Sequence, residues 1–218
     1  MNQMLQDPQV QDSQLQNPQI QGSQIQGSQI EESQVLEASA QGAGVSAGDA
    51  PPRPQHPRFA KPQRVAFVQS SWHRDVVMEA RIAFLDEIEA RHIARERVDI
   101  FEVPGSFEIP LHAQILAKTR RYTAIVAAGL VVDGGIYRHE FVADTVIKAL
   151  MDVQLRTEVP VFSAVLTPQQ FHETQAHFEF FKKHFATKGV EVAEACANTL
   201  LSLERLRGQV AAGIVAGG

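Results

Sequence analysis

The run Gly129-Leu-Val-Val-Asp-Gly-Gly-Ile-Tyr-Arg-His-Glu-Phe-Val142 gathers the residue types that chemistry on an anion needs. The apolar stretch 122–132 reads as a buried strand, Asp133, Gly134 and Gly135 break it, and a helical pattern begins near His139. A strand, a glycine turn and a helix start offer free backbone N–H groups to a phosphate. Gly134, Gly135 and Ile136 could cradle it. Beside them stand Arg138, a fixed cation, and His139, a group that titrates near neutrality. The chemistry implied is phosphate binding with a proton-transfer group alongside. The plainer reading is a turn whose glycines only satisfy backbone geometry.

Other candidates stand in similar positions. Trp72, the only tryptophan, follows the apolar run 64–69, where a flat side chain can stack on a flat ligand or cap the sheet edge. Ser106, Phe107 and Glu108 follow a Pro-Gly turn. A hydroxyl and a carboxylate there suit a polyhydroxylated ligand, and they equally suit the start of the next helix, where a carboxylate is favoured. The backbone of Leu130, Val131 and Val132 could hydrogen-bond the edge of a heterocycle. His172, His177 and His184 fall in the segment after the last apolar run and read first as surface or interface histidines. The seven-residue spacing of His177 and His184 puts them on one helix face without completing a metal site.

The elements that must position these residues alternate. Residues 64–69, 98–103, 122–132 and 159–166 read as strands. Asp75 is a candidate N-cap for a helix carrying Val77, Ala80, Phe84 and Ile88, and residues 110–118 form a second helix. Val142, Val146, Leu150 and Val153 mark a third, residues 169–185 a fourth, and Val190, Ala193, Ala197 and Leu200 a last stripe ending near residue 206. This order implies an α/β fold, a parallel sheet with helices on both faces. Ligands bind such sheets outside the carboxyl ends of the strands, which is where the candidates concentrate.

Composition bounds the rest. A formal charge of −5 gives no basic face for nucleic acid. One cysteine, Cys196, excludes an internal disulfide and reads as a small core residue. No apolar run approaches the roughly 20 residues of a membrane span, and the first residues lack the pattern of a secretory signal, so a cytoplasmic protein is expected. Residues 1–58 differ from the remainder. They repeat with a period of five, as in Gln16-Asn-Pro-Gln-Ile20 and Gln21-Gly-Ser-Gln-Ile25, and pass into an Ala/Gly/Pro linker. One aliphatic residue in five cannot offset the cost of ordering the chain, so this Gln-rich tail is expected to be disordered. The folded domain is expected over residues 59–208, with a frayed tail over 209–218.

Four segments together resemble a known family. Ser71-Trp-His73, Val103-Pro-Gly-Ser-Phe-Glu-Ile-Pro110, Asp133-Gly-Gly-Ile-Tyr-Arg-His-Glu-Phe-Val142 and Val165-Leu-Thr-Pro168, in this order and spacing, look like lumazine synthase. Gly-Gly-Ile-Tyr-Arg-His resembles in particular the second-type enzymes of Brucella and related rhizobia. The resemblance implies a flavodoxin-like three-layer sandwich with a four-stranded parallel sheet. It implies condensation of 5-amino-6-(D-ribitylamino)uracil with 3,4-dihydroxy-2-butanone 4-phosphate to 6,7-dimethyl-8-ribityllumazine in riboflavin synthesis, with no cofactor. It also implies pentamers or dimers of pentamers with active sites between neighbouring subunits.

By the same resemblance, Trp72 stacks on the pyrimidinedione, Ser106, Phe107 and Glu108 hold the ribityl chain and ring, and Leu130, Val131 and Val132 meet the uracil edge. Gly135 and Ile136 lie at the phosphate, and Phe162 or Ser163 of a neighbouring subunit closes the other face of the ring. Two positions depart from the main family. Arg138 falls where most members carry the proton-transfer histidine, with His139 one residue later, and the phosphate-binding arginine of the penultimate helix has no evident equivalent beyond His177 or His184. The competing function class is a weakly catalytic lumazine- or flavin-binding scaffold on the same assembly, and a third is a generic flavodoxin-like regulator.

Overall fold

Strands β1 (Val65–Ser70), β2 (Val98–Val103), β3 (Ala124–Leu130) and β4 (Val161–Leu166) form one parallel sheet in the order β2-β1-β3-β4. The structure, a computed structural model, describes residues 55–135 and 138–214. The pentapeptide repeat and most of the linker, with the disorder expected of them, lie outside the described residues, as do Ile136, Tyr137 and 215–218. Among the described residues the helices are α1 (Arg74–Ala90), α2 (Ile109–Lys118), α3 (His139–Thr157) and α4 (Gln175–Ala211).

The central strands are apolar, apart from Gln69 and Ser70 at the end of β1, because both faces are covered. Alternate residues feed two cores. Val65, Phe67, Val126, Ala128 and Leu130 face α1 and α4, meeting Ala80, Phe84, Phe185 and Ala197. Ala66, Val68, Ile125 and Ala127 face α2 and α3, meeting Ile109, Ala113, Val146 and Leu150. This is the expected three-layer, flavodoxin-like arrangement. Cys196 lies wholly within the first core, where burial pushes its thiol up to about 12. The chain runs outward from β1 to β2, then crosses to β3 and β4 on the other side, so the strand order reverses between β1 and β3. A crevice at that reversal is where such sheets take ligands.

Three expectations need correction. Asp75 is not the N-cap of α1. That position belongs to His73, in the left-handed region at φ 51°, and Asp75 instead faces Lys182 of α4 at 3.4 Å. The segment 169–174 is a loop, and the two expected helices after β4 are the single helix α4, which runs past residue 206 to Ala211. Gly189 lies between the two expected helices. It is retained within the helix because α4 crosses α1 there so closely that a β-carbon would collide with the Ala80 carbonyl. Finally, β3 is shorter than the apolar run, because Tyr122 turns its hydroxyl to Asp99 (2.7 Å) and residues 131–132 leave the sheet. Arg64 holds the same carboxylate through two bonds, at 2.9 and 2.7 Å, joining the amino ends of the strands on the edge away from the exits.

Near the start of the described chain, the His56 carbonyl lies 3.0 Å from His92 Nε2 and Phe59 packs against the first core. No described helix is long and apolar enough to cross a membrane.

Candidate active site

At the carboxyl edge of the sheet, the end of β1 and the turn after β2 meet at Gly129 of β3. This residue has its Cα so close to the turn after β2 that a β-carbon would collide with Ser106 Oγ and lie 3.2 Å from Ser70 Oγ. Both hydroxyls are buried, and neither has a hydrogen-bond partner among the described residues. An unpaired buried hydroxyl is costly, and a pair of them at the reversal between β1 and β3 points to a water or a ligand as the missing partner.

The turn after β2 is fixed by its own carboxylate. Gly105 N–H donates to Glu108 Oε2 at 2.8 Å, and Glu108 N–H to the Gly105 carbonyl at 3.4 Å. Glu108 therefore does the capping work that its position at a helix start allows. Trp72 leans on this turn, with ring atoms 3.8 and 3.9 Å from the point a β-carbon on Gly105 would occupy. Trp72 is 71% exposed and Phe107 62% exposed. Two large aromatic faces beside a polar turn form a platform for a flat ligand. Ser71 N–H bonds the Val103 carbonyl at 2.8 Å, which prolongs the β1–β2 ladder and aims the Trp72 loop over the β2 exit.

At the end of β3 and just beyond it, the side chains of Leu130 and Val131 turn back into the two cores, while Val132 packs against the first. The Val131 N–H is engaged by the Leu166 carbonyl at 2.9 Å, so it is not available as a donor to a heterocycle's edge. In the turn that follows, Gly135 adopts φ +74°, which favours glycine, and among the described residues beyond its chain neighbours nothing stands within 4 Å of a β-carbon built on Gly134 or Gly135. Its N–H donates to Asp133 Oδ1 at 2.8 Å. Ile136 lies outside the described residues.

Arg138 and His139 start α3 and have different surroundings. The Arg138 guanidinium lies 5.8 Å over the ring of Phe141, within cation–π range. The His139 side chain is 12% exposed, with Nδ1 3.6 Å from Glu140 Oε2. One is an exposed cation steadied on an aromatic face, and the other is a shielded imidazole.

The histidines after β4 are distributed unevenly. His177 sits in the first turn of α4, where its Nδ1 accepts the His172 N–H at 3.2 Å and its own N–H bonds the capping Thr174 hydroxyl at 3.4 Å. His184 stacks on Phe180, the planes 3° apart, on the exposed side of the helix. Phe162 and Ser163 lie near the start of β4, at the edge of the sheet. With about 3.3 Å per residue, Ser163 is roughly 10 Å short of the β4 exit, so the fold does not bring either residue to its own subunit's turns. Among the described residues no three His, Cys, Asp or Glu side chains gather as metal ligands would.

Sequence reasoning missed Ser70, the Asp133 carboxylate and the aromatic cluster joining His73 to Phe171 (ring centroids 5.2 Å apart) and Phe178 (6.2 Å). Two buried polar residues, Gln69 and Ser70, closing an otherwise apolar strand were the available signal for Ser70. Nothing local marked Phe171 as the partner of His73, since β2, β3 and β4 intervene.

Comparison with known proteins agrees with the geometry. The sequence-family model described as 6,7-dimethyl-8-ribityllumazine synthase matches residues 62–204. A Bradyrhizobium diazoefficiens protein named 6,7-dimethyl-8-ribityllumazine synthase 2 is 86% identical, over 75% of this chain and 98% of its own. The synthase 2 of Rhodopseudomonas palustris is 70% identical, over 76% of this chain and 92% of its own. A Caulobacter vibrioides protein named synthase 1 falls to 34%, over 67% and 94%. With its motif segments on adjacent strand exits, a family model matching residues 62–204 and relatives of 86% and 70% identity named as synthase 2, the chain belongs to the 6,7-dimethyl-8-ribityllumazine synthase family.

Proposed function

We propose that the protein is a working lumazine synthase of riboflavin biosynthesis, condensing 5-amino-6-(D-ribitylamino)uracil with 3,4-dihydroxy-2-butanone 4-phosphate. The observation that carries this reading is convergence. Motif segments scattered between Ser71 and Pro168 all leave the same edge of one parallel sheet, and Ser106 of one of them, with Ser70 at the end of β1, brings a buried hydroxyl without a partner among the described residues to Gly129.

Trp72 and Phe107 sandwich or flank the pyrimidinedione, and the turn carrying Ser106 and Glu108 meets the ribityl hydroxyls. The turn at Gly134 and Gly135 takes the phosphate. Arg138 cannot act as a base at neutral pH, so its role is to neutralise the leaving phosphate. His139, the imidazole of this loop, carries proton transfer. The ring amine adds to the ketone and water leaves to give an imine. Phosphate is then eliminated, and ring closure releases a second water. Both substrates are reactive in themselves, so holding them in register supplies much of the rate, an effect worth as much as about 7–11 kcal/mol. His177 is a secondary candidate for the phosphate, from the first turn of α4. His184, stacked on Phe180, is a weaker one.

The active unit is a cytoplasmic homo-oligomer, a pentamer or dimer of pentamers, with Phe162 or Ser163 of a neighbour closing each site. Support comes from apolar side chains left uncovered on α2 and α3, among them Leu111, Ile115, Met151 and Leu155. The test is lumazine formation from the two substrates against an enzyme-free control. Product above that background supports the reading. Background rates with intact ligand binding would replace it by a binding scaffold, which Arg138 at the usual histidine position would then explain.

A further inference from the structure

We propose that Phe171, in the loop after β4, clasps the ring of His73 and so sets the pose of Trp72, which makes the pair positioning residues for the pyrimidinedione. Their role rests on the reading above, in which Trp72 stacks on the substrate's ring. Trp72 is 71% exposed, so its own packing does little to fix it. On one side it is held through Ser71, whose N–H bonds the Val103 carbonyl at 2.8 Å. On the other side stands His73, in the left-handed region at φ 51° and ψ 43°. That conformation is uncommon for a residue with a side chain and persists only where the surroundings hold it. The usual hold at a helix start is a side-chain hydrogen bond to the first turn, and His73 makes none to α1. Its ring packs instead edge-on to Phe171, centroids 5.2 Å apart at 62°, and lies tilted against Phe178 at 6.2 Å.

The clasp is anchored at its far end. Phe171 is itself buried, and it meets Phe178 edge-on at 5.4 Å and Phe181 at 5.4 Å. Phe178 and Phe181, on α4, pack against the first core. Lys182 of the same helix faces Asp75 at 3.4 Å, a second tie whose partners are exposed enough for it to contribute little. The His73 carbonyl accepts the N–H groups of Val76 and Val77 at 2.9 and 3.0 Å, so a turn of its backbone out of the left-handed region would shift the start of α1 and the residue before it together. Trp72 therefore lies between two fixed points, one on β2 and one reached through Phe171 on α4. A stacking ring is useful only in register with the ring it covers, and a misplacement of about 1 Å can cost about 10²-fold. Without the clasp, Trp72 is free to swing while the sheet beneath it stays intact.

The experiment uses the full chain, with Phe171→Leu, which keeps apolar bulk and removes the ring, with His73→Asn, which keeps a residue tolerant of the left-handed region and removes the ring, and with both together. Trp72 is the only tryptophan, so its fluorescence anisotropy reports its pose, and its quenching by 5-amino-6-(D-ribitylamino)uracil reports binding. Each single variant is expected to lower the anisotropy and to raise both Kd and KM for the ribitylaminouracil about tenfold, with kcat changed less. The double variant is expected to be no worse than the stronger single one, since both substitutions break one contact. Phe84→Leu, in the same core but about three helical turns beyond His73, is expected to lower the urea midpoint and to leave both Trp72 signals in place. The same Trp72 response in that variant would mean general loosening and overturn the proposal. Unchanged anisotropy and Kd in both single variants, or additive losses in the double one, would overturn it as well. If the wild type binds the ribitylaminouracil and makes no lumazine, the catalytic reading fails and the titration still decides the clasp.

Discussion

Gly129 and Ser106 are fitted to one another: the absence of a side chain on the first makes room for the hydroxyl of the second. Gly129→Ala should therefore act on the site through Ser106 and not through strand β3, whose conformation alanine accepts. The displaced serine would drag the 106–108 turn, and kcat/KM should fall tenfold or more, with about 1–3 kcal/mol lost from stability as for other overpacked cores. The double variant Gly129→Ala/Ser106→Ala removes the colliding atom and should regain most of the stability in a urea titration. If it does not, the conflict lies elsewhere.

Ser106→Ala alone separates a binding hydroxyl from a tolerated one. Its Oγ has no partner among the described residues, so deleting it should leave the unfolding midpoint unchanged or slightly raised. A rise in KM for the ribitylaminouracil, at unchanged stability, would mark the hydroxyl as the ligand's partner. Unchanged kinetics would leave a buried water as that partner.

Arg138 and His139 should separate in kinetics as they do in environment. Arg138→Ala is expected to raise KM for the phosphorylated substrate, and Arg138→Lys to recover part of it, since a point charge replaces a fork. Phe141→Ala should reproduce a milder form of the same defect by removing the ring on which Arg138 rests. His139→Ala is expected to lower kcat by about 10²–10⁴-fold with little change in KM, the usual size of a positioned acid or base. Steady-state kinetics over both substrates checks this, and the opposite pattern would exchange the two roles.

Much of the fold was legible because its signals are local. β1 and β3 are apolar on both faces, which announces a covered parallel strand, and Pro104-Gly105 and Asp133-Gly-Gly135 announce the exits. The continuity of α4 was not legible. Gly189 is kept where α4 presses on the Ala80 backbone of α1, a contact between residues far apart in the chain that no local pattern marks. The N-cap of α1 was misread for a related reason. Asp75 has the right chemistry for a cap, yet Lys182 and the aromatic packing of His73 on Phe171 decide where the helix starts. In the site, residue types located the turns. The commitment of Glu108 to Gly105, of the Val131 N–H to Leu166 and of Asp133 to Gly135 are matters of hydrogen-bond geometry that types and spacing do not encode.

Stability should weaken on the acid side through Asp99. Partial burial raises its pKa, but the hydrogen bonds from Tyr122 and Arg64, with the Arg64 charge, outweigh burial and hold it below the usual carboxylate value. A group depressed in the folded state contributes stability above its unfolded pKa, about 3.9, and loses it as pH falls through the lower folded value. Glu102, lowered chiefly by its hydrogen bond from Arg74, adds to the same window. The urea midpoint should be flat from pH 7 to 5 and fall from about pH 4 downward. Asp99→Asn should lower the midpoint at pH 7 and flatten the fall, leaving only the share of Glu102. An unchanged acid slope in that variant would remove Asp99 from the account.

Assembly should be necessary for activity, and Phe141 shows why the two are joined. The exposed stripes of α2 (Leu111, Ile115) and α3 (Ile147, Met151, Leu155) recur at every fourth residue on helices that cover the same face of the sheet. Phe141, 67% exposed, continues the α3 surface toward the site and carries Arg138 on its ring. A neighbour covering these helices would thus bury the support of Arg138 at the same time as it delivers its own Phe162 and Ser163. The variant Met151→Glu/Leu155→Glu places two charges in that stripe, far along α3 from the turns. It is expected to run as a monomer in gel filtration with light scattering, to keep its circular dichroism spectrum, and to lose lumazine formation. A folded monomer with wild-type turnover would mean that one subunit's turns suffice, and Phe162 and Ser163 would then leave the site.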